Sequence, residues 1–461
     1  MLGALLLWLA PSSAAAADPL GSADVLALLD DRHPVLAAAT LELARASAQR
    51  QQALGAFDVK VKGKVDDIAA GKDLWTRSEL ALTTETRLFG LALEGGYAQG
   101  LGDFPGYYGE KATAPPGEVA LGASLPLLRG GWVDAERAGL AIATLEGSVA
   151  RALRARAGVE VAAGARMAWA KWVAAGRKVT IAADLLRVAE DRDRAISQRI
   201  AAGDLPALAR LDNQRLIYER QAALAEAERD LVAAAASLAL FVRDAEGLPR
   251  VPEVGELPAA PALPAAAAGA LAEDLGRARA ARPELVEIST QRQQLAEARR
   301  AAVNDLLPAI DVGARVVQPL SDADKQEIQV GVRLDSPIQQ RKARGKLDEI
   351  DAKAAALEQK QSFLGDKIDA EVRKARAGLE AARVAAGRLE ESAAVAGQLV
   401  EAERVRFNAG DTDLLTVWLR EQSFADAQKK AVEAWMDAWF ARAELDAALG
   451  RGPEELRGSG G

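Results

Sequence analysis

The chain has 461 residues, of which 50% are hydrophobic, and its 66 acidic and 58 basic side chains give a formal charge of -8. This slight acidity argues against a nucleic-acid-binding protein, because such proteins carry a strongly basic face. One His and no Cys exclude most metal sites and most thiol- or His-dependent catalysis. Aromatic residues make up only 4%, which is low for a compact enzyme core. The composition therefore predicts a helix-rich chain that is not an enzyme and uses no cofactor.

Residues 1–17 have the composition of an export signal. An apolar segment, Leu2 to Ala10, precedes a Pro-Ser-Ser break and an alanine run that ends before Asp18. We expect cleavage after this run. No Lys or Arg precedes the apolar segment, and a buried N-terminal helix is the alternative interpretation. A helix of this length is too short to cross a membrane, and no later stretch approaches 18 uncharged apolar residues. We therefore expect the exported chain to be either soluble or a membrane β-barrel.

The chain after the signal contains two copies of one plan. The segment Arg199 to Asp204 (RIAAGD) recurs as Arg406 to Asp411 (RFNAGD). A proline- and alanine-rich segment between the copies favours an extended linker. The predicted organisation is a signal peptide over 1–17, a first repeat over 18–247, a Pro/Ala-rich linker over 248–268, a second repeat over 269–452 and a flexible tail over 453–461.

Each repeat begins with a helix and ends with a much longer helical run. The first helices are predicted at about 34–54 and 283–306, and the long runs at about 133–242 and 340–449. Gly203 and Gly410 are suited to end one helix, and Asp204 and Asp411 to cap the next, so each pair predicts the tip of a helical hairpin. A helix of about 65 residues is roughly 100 Å long at ~1.5 Å per residue. A structural coiled coil is the alternative.

Between these helices lie stretches with one apolar and one polar face. They are 80–97 and 119–125 in the first repeat, and 310–317 and 328–335 in the second. Alternating segments of about ten residues are typical of membrane barrel strands, although a ribbon on a soluble bundle would look similar. The stretch 57–65 also alternates, with lysines on one face, and receives no role. Because open strand edges are not tolerated in lipid, four strands would have to be shared among several chains.

In these features the chain resembles a known family, the outer-membrane efflux proteins or TolC-like channels. The matching segments are His33-Pro34 at the helix start, Leu125 to Arg137 at the end of a strand, the two tip motifs, and Asp413 to Trp418 after the second tip. Their order, duplication and spacing carry the resemblance, which covers nearly the whole mature chain.

The resemblance implies a fold that is mainly α with a membrane β-barrel portion. Long α-helical hairpins would form a periplasmic tunnel, and four strands per protomer would contribute to a shared trimeric 12-stranded barrel. It also implies a homotrimer in the Gram-negative outer membrane, surrounded by outer-membrane lipid and extending into the periplasm. The expected partners are a periplasmic adaptor and an inner-membrane transporter, with no nucleic acid. The adaptor would contact the hairpin tips at Arg199, Gly203, Arg406 and Gly410.

The resemblance also bears on the periplasmic gate. Well-known members place carboxylates six and nine residues after the second tip glycine, where this chain has Thr416 and Leu419, so that gate is not carried over. Asp204, Asp411 and Asp413 are the candidate periplasmic pore residues, because rings of carboxylate select cations. Helix capping is the alternative role for Asp204 and Asp411.

The predicted function is a passive exit duct from the periplasm to the exterior, within a tripartite efflux or type I secretion system. The alternative is a periplasmic adaptor or a structural coiled-coil protein of an envelope-spanning complex. A hydrolase is disfavoured because the sequence lacks G-x-S-x-G, H-E-x-x-H and C-x-x-C motifs.

Overall fold

A computed structural model describes residues 18–106, 112–113, 115–203, 206–259, 262–322, 324–409 and 411–458. The predicted signal peptide therefore lies outside the described residues. The chain divides into two compact units, each of which combines segments from both predicted repeats. No helix in the described ranges is both long enough and apolar enough to cross a membrane.

The predicted helices are confirmed, and three shorter ones, α1, α5 and α9, add to them. The helices are α1 Ser22–Ala27, α2 Pro34–Leu54, α3 Ala135–Ala201, α4 Leu208–Leu238, α5 Leu271–Ala281, α6 Pro283–Asn304, α7 Arg341–Ala409, α8 Leu414–Ala448 and α9 Pro453–Gly458. The strands are β1 Lys60–Ile68, β2 Trp75–Glu85, β3 Ala92–Gly102, β4 Glu118–Pro126, β5 Ala309–Pro319 and β6 Glu327–Asp335. Each predicted long run is thus a pair of helices broken at its Gly-Asp tip.

The first unit comprises the chain up to Ala39, Arg154–Pro283, and the chain from Gly365 onward. Its core is built around tryptophans of α3 and α8. The ring of Trp169 lies 5.8 Å from that of Trp435 and 5.0 Å from that of Trp439, centroid to centroid. These residues are therefore helix-packing side chains, as their spacing along the helices predicts.

The linker and the C-terminal segment pack on this unit. The carbonyl of Ala262 accepts hydrogen bonds from the indole N–H groups of Trp435 and Trp439, both at 3.2 Å. The segment expected to be a flexible tail instead contains α9. Leu456 is buried, and Arg457 Nε donates to the carbonyl of Leu26 at 3.1 Å. A helix forms here because Pro453 suits its first position and acidic residues follow in its first turn.

A buried charge cluster lies in the same unit. Asp446 of α8 is 2% exposed and forms ion pairs with Arg166, Arg442 and Arg451. The last two distances are 2.9 and 3.0 Å. Burial lowers the pKa of Arg166, and the carboxylate of Asp446 opposes that shift. Removing the carboxylate would leave three guanidinium groups facing one another with little solvent.

The second unit, Thr40–Leu153 and Glu284–Leu364, contains one antiparallel sheet of six strands. Its order is β1-β2-β3-β4-β5-β6, so each strand pairs with the next in the chain. Pairing of β4 with β5, for example Leu121 opposite Val316, joins the two predicted repeats. The prediction of four strands is corrected to six: the lysine-bearing stretch 57–65 contributes β1, and 80–97 falls within two strands, β2 and β3.

The turn between β2 and β3 explains the second part of this correction. The amide of Leu91 donates to the carbonyl of Leu88 at 3.0 Å, and the central residues Phe89 and Gly90 have φ values of 50° and 68°. Positive φ at both positions defines a type I′ hairpin turn, usually formed by Asn-Gly or Asp-Gly. Phe89 stands in the first position with its ring edge-on to Trp132, 4.8 Å away. The usual sequence signal for a turn is therefore missing.

Candidate functional site

Both helical hairpins have tips whose backbone geometry is set by the repeated Arg-to-Gly motif. Gly203 follows α3 with φ 83°, and its amide donates to the carbonyl of Ile200 at 3.0 Å. After α7, the amide of Asp411 donates to the carbonyl of Arg406 at 2.9 Å. A Schellman helix ending has two characteristic hydrogen bonds. The bond from Gly203 is the shorter-range one, at the first tip, and the bond from Asp411 is the longer-range one, at the second. Arg199 and Arg406 consequently occupy the last turns of their helices, where positive charge is favourable.

The two tips adjoin each other. The guanidinium carbon of Arg199 lies 5.7 Å from the centroid of the Phe407 ring, within the range of a cation–π interaction. Arg199, Gly203 and Arg406 are all exposed, and open space surrounds the position where a Gly203 side chain would project. Gly410 and Asp204 lie outside the described residues. The structure thus brings the described tip residues of the two repeats to one place.

Exposed leucines extend this surface. Leu208 at the start of α4 and Leu415 at the start of α8 occupy equivalent positions in the two repeats, and both are more than half exposed. Leu211 and Leu419 lie about one helical turn further on and are also exposed. We call Arg199, Gly203, Leu208, Leu211, Arg406, Leu415 and Leu419 the tip surface. Its combination of exposed apolar and cationic side chains suits a protein partner.

The acidic candidates have different surroundings. The Oδ1 atom of Asp413 accepts hydrogen bonds from the Thr416 hydroxyl at 2.7 Å and the Thr416 amide at 2.8 Å. Those two bonds, first the hydroxyl and then the amide, lower the pKa of Asp413. Asp413 is therefore the N-cap of α8. The cap predicted at Asp411 is corrected accordingly, because α8 begins at Leu414. Asp411 is exposed beside it.

A buried ionic network fixes the helices behind the tips. Glu421 of α8 is 5% exposed and pairs with Arg192 of α3 and with Arg404 of α7, the latter at 3.1 Å. Arg220 of α4 donates to the side chain of Gln422 at 2.7 Å. Four helices are therefore tied together at one level. This network is not predictable from the sequence, because charged residues on a helix usually indicate a solvated face.

A second network positions one tip arginine. The buried carboxylate of Glu403 contacts Arg406 at 3.2 Å and Arg420 at 3.9 Å. It orients the Arg406 side chain while leaving it largely exposed. Among the described residues, no group of three or more His, Asp or Glu side chains is placed to hold a metal ion.

The two faces of the sheet have opposite character, because residues directly opposite each other on paired strands share a face. One face carries apolar side chains from every strand, and those of β1, β2, β3, β4 and β6 are exposed. They are Val61, Val65, Leu80, Leu82, Leu93, Leu101, Val119, Leu121, Leu125, Ile328, Val330, Val332 and Leu334. Exposed apolar surface of this extent marks an interaction site for lipid or protein.

The other face is polar and lines a cavity of about 730 Å³ to which all six strands contribute. Charged residues in its lining include Lys62, Glu94, Asp311, Arg315 and Arg333. Arg315 and Glu94 approach to 3.8 Å across the sheet. The two faces of the sheet therefore suit different surroundings, the apolar face an apolar medium and the charged face water.

Aromatic and aliphatic side chains cluster where the apolar face meets the helices. Phe89 and Trp132 pack against each other and are both exposed, as are Leu127, Leu128 and Ile338. All of these lie at the end of the sheet from which β4 and β6 run into helices. Exposed aromatic rings at one level are typical of a membrane–water interface.

No model of a known protein family matches the chain, and no curated protein sequence matches it. Solved structures match it over most of its length. The open-state outer-membrane channel MtrE of Neisseria gonorrhoeae aligns with a TM-score of 0.70 at 18% identity, covering 94% of this chain and 90% of that one. The outer-membrane protein VceC of Vibrio cholerae gives a TM-score of 0.66 at 15% identity, with coverages of 94% and 96%. The outer-membrane channel OprN gives 0.65 at 15%, with 94% and 92%.

The chain has the fold of the TolC-like outer-membrane channels. This confirms the fold indicated by the tip motifs and by the duplicated order of helices and strands. Within the TolC-like fold, the described part of this chain has six strands in its sheet where the resemblance implied four.

Proposed function

We propose that the protein is a homotrimeric outer-membrane channel, the exit duct of a tripartite efflux or type I secretion system. It would conduct cargo passively from the periplasm to the exterior. The observation that carries this proposal is the two-faced sheet. A monomeric soluble protein rarely keeps the apolar side chains of five strands exposed on one face, whereas a membrane wall requires them.

The dimensions of the strands agree with this role. Each contains nine or eleven residues, and a tilted strand of about 9–11 residues spans a bilayer. Exposed Phe89 and Trp132 would then lie at the periplasmic membrane surface, at the end where the chain passes into its helices. The long helices would build the periplasmic tunnel.

The tip surface is the proposed docking site for a periplasmic adaptor. Arg199 and Arg406 offer charge-assisted hydrogen bonds to a partner, while Leu208 and Leu415 offer apolar contacts. Gly203 allows a partner's backbone to approach closely because no side chain projects there. Gly410 takes the equivalent position in the second repeat. The driving energy would come from an inner-membrane transporter linked through that adaptor.

Asp411 is the stronger of the two described candidates for a carboxylate ring at the periplasmic mouth. Asp413 already accepts two hydrogen bonds as a helix cap, whereas the exposed Asp411 side chain is free of that structural role. Three copies of Asp411 around one axis would attract cations and bind multivalent ones. Asp204, in the first tip, is the corresponding candidate there.

Density-gradient separation of cell membranes followed by cross-linking tests the proposal. We expect the wild-type chain in the outer-membrane fraction as a cross-linked trimer that resists detergent at room temperature. A chain recovered as a soluble monomer would contradict it and would favour the periplasmic adaptor or coiled-coil alternative. Matched variants at the tip surface should remain in the outer-membrane fraction, because that surface serves partner docking and not membrane insertion.

A further inference from the structure

We propose that the β1–β2 hairpin is part of the barrel wall and that the β1 edge pairs with the β6 edge of a second copy of this chain. Three copies would then close a barrel of eighteen strands in place of twelve. This inference rests on the proposed outer-membrane channel function and specifies its subunit interface.

The sheet has two edges that need partners. In the described residues β1 pairs only with β2, and β6 pairs only with β5. The outward backbone N–H and C=O groups of Lys60–Ile68 and Glu327–Asp335 therefore have no ladder partner within the sheet. The hydrocarbon core holds no water to hydrogen-bond such groups, so leaving them unpaired there is strongly destabilising. A membrane sheet of this kind must join its own edges or those of other copies.

Strand direction allows closure between copies. Every neighbouring pair in the sheet is antiparallel, so the first and sixth strands run in opposite directions. The β1 strand of the next copy can consequently add to β6 as an antiparallel neighbour. An odd number of strands would have forced a parallel pair at this junction.

The two edges also match in the chemistry of their faces. Val61 and Val65 of β1 lie on the same face of the sheet as Val330 and Val332 of β6, and all four are exposed. On the polar face, Lys60 begins β1 and Asp335 ends β6, at the end of the sheet next to the helices. Joining the edges would continue the apolar band and bring opposite charges together.

The β1–β2 hairpin is an integral part of this sheet. Its ladder runs without interruption from Lys60 opposite Thr83 to Ile68 opposite Trp75, and β2 pairs along all eleven of its residues with β3. Both edge strands contain nine residues. A hairpin folded away from the membrane would need neither this shared length nor apolar residues on the outer face.

The strand number sets the width of the exit. With a strand spacing of ~4.8 Å and a tilt of ~40°, an eighteen-stranded wall is about 36 Å across, against about 24 Å for twelve strands. Barrels of sixteen to eighteen strands leave an aqueous channel. The wider wall would give bulky cargo more room on leaving the cell.

Cysteine cross-linking in the outer membrane tests this interface, and the chain contains no native Cys. One cysteine replaces Val61 of β1, and a second replaces Ile328, Val330, Val332 or Leu334 of β6 in turn. All these positions lie on the outer face. We expect mild oxidation to give disulfides between chains, strongest for one pairing, with a product of three copies. The matched control places the first cysteine at Leu93 of β3, which would be the edge strand of a twelve-stranded trimer.

The outcomes separate this inference from the function on which it rests. A wild-type membrane trimer that cross-links through Leu93 and not through Val61 would overturn the eighteen-stranded barrel while leaving the channel intact. A product that stops at two copies would overturn it as well. A wild-type chain that forms no membrane oligomer would overturn both proposals. Cryo-electron microscopy of the unmodified trimer gives an independent reading: a wall about 36 Å wide supports the inference, and one about 24 Å wide contradicts it.

Discussion

The character of the outer sheet face can be tested with one pair of substitutions. Val330 and Gly331 are neighbours at the centre of β6, and their positions lie on opposite faces of the sheet. Val330 is 73% exposed on the apolar face. Gly331 pairs with Gly313 of β5 on the polar face, and a Cβ atom added at Gly331 meets no other atom within 4 Å. Val330→Arg and Gly331→Arg therefore add the same charge at the same depth, facing different media.

The expected effects differ greatly. An Arg that faces lipid at the middle of a barrel strand destabilises the folded state by about 2–4 kcal/mol. Per copy, this lowers the folding equilibrium constant by roughly 30- to 700-fold. An Arg that faces the water-filled side keeps its hydration, and its repulsion from exposed Arg333 is limited to less than about 1 kcal/mol. Val330→Arg should therefore be strongly destabilised and Gly331→Arg nearly unaffected.

The assay is refolding into lipid vesicles across a urea series, with folding followed by the heat-dependent shift in gel mobility. We expect the midpoint of Val330→Arg to move to much lower urea, while that of Gly331→Arg stays near wild type. Equal midpoints for the two variants, or greater damage from Gly331→Arg, would refute the assignment of the apolar face to lipid.

Three further predictions concern the first unit. Asp446→Ala should lower the unfolding free energy by about 3–5 kcal/mol, because buried Arg166 loses the carboxylate with which it pairs. Thermal denaturation measures this, with the exposed substitution Asp437→Asn as the control. Burial, followed by the charge of Arg243, lowers the pKa of His33. The unfolded chain therefore takes up a proton more readily than the folded one, so the free energy of unfolding should be constant above pH ~6.5 and fall as the pH drops below it. Urea midpoints measured against pH test this. Gly203→Leu should abolish co-purification of the adaptor. It should shift the melting temperature by only a few degrees, since a residue with a side chain at φ 83° is strained by about 1–2 kcal/mol.

Each of these has its own control and contrary result. If the Asp446→Ala variant is no less stable than the Asp437→Asn variant, the buried charge cluster contributes nothing to the stability of the fold. His33→Asn keeps an acceptor for the Val35 amide but cannot titrate, so an unchanged pH profile in this variant would remove His33 as the cause. Gly387→Leu lies in open space on α7, and equal loss of adaptor binding in both glycine variants would exclude a specific role for the tip.

The helical part of the fold was predictable because its signals are local. Three- and four-residue apolar spacing continues through α3 and α7, and Gly203 takes the left-handed conformation that ends a helix. The strands β4, β5 and β6 were predictable for the same reason, since alternation is uninterrupted along each of them. The family resemblance then supplied the arrangement that no local pattern contains.

The local sequence signals conflict in β1 and at the turn between β2 and β3, where the strands were not correctly predicted. In β1, Gly63 and Asp67 interrupt the apolar face, so only Val61 and Val65 mark it. Between β2 and β3, Phe89 occupies a positive-φ position that Asn or Gly normally fills. Its packing on Trp132 provides a tertiary contact that the sequence does not reveal.

The tip site was predictable in outline only. Repetition of the motif indicated Arg199 and Arg406, and the structure places Arg199 against the residue that follows Arg406. The helix cap at Asp413 depended on where α8 begins, a boundary that periodicity fixes only to within a few residues. The pairing of Glu421 with arginines of two other helices depends on tertiary packing alone.

Electrical recording across a planar lipid bilayer tests the central claim most directly. If the chain forms a transmembrane duct, the purified oligomer should produce discrete steps of ion conductance. Val330→Arg, which disrupts the lipid-facing wall, should produce far fewer insertions than Gly331→Arg at the same protein concentration. A wild-type oligomer that enters the bilayer without conducting ions, or that never enters it, would contradict the proposal that this fold serves here as a channel.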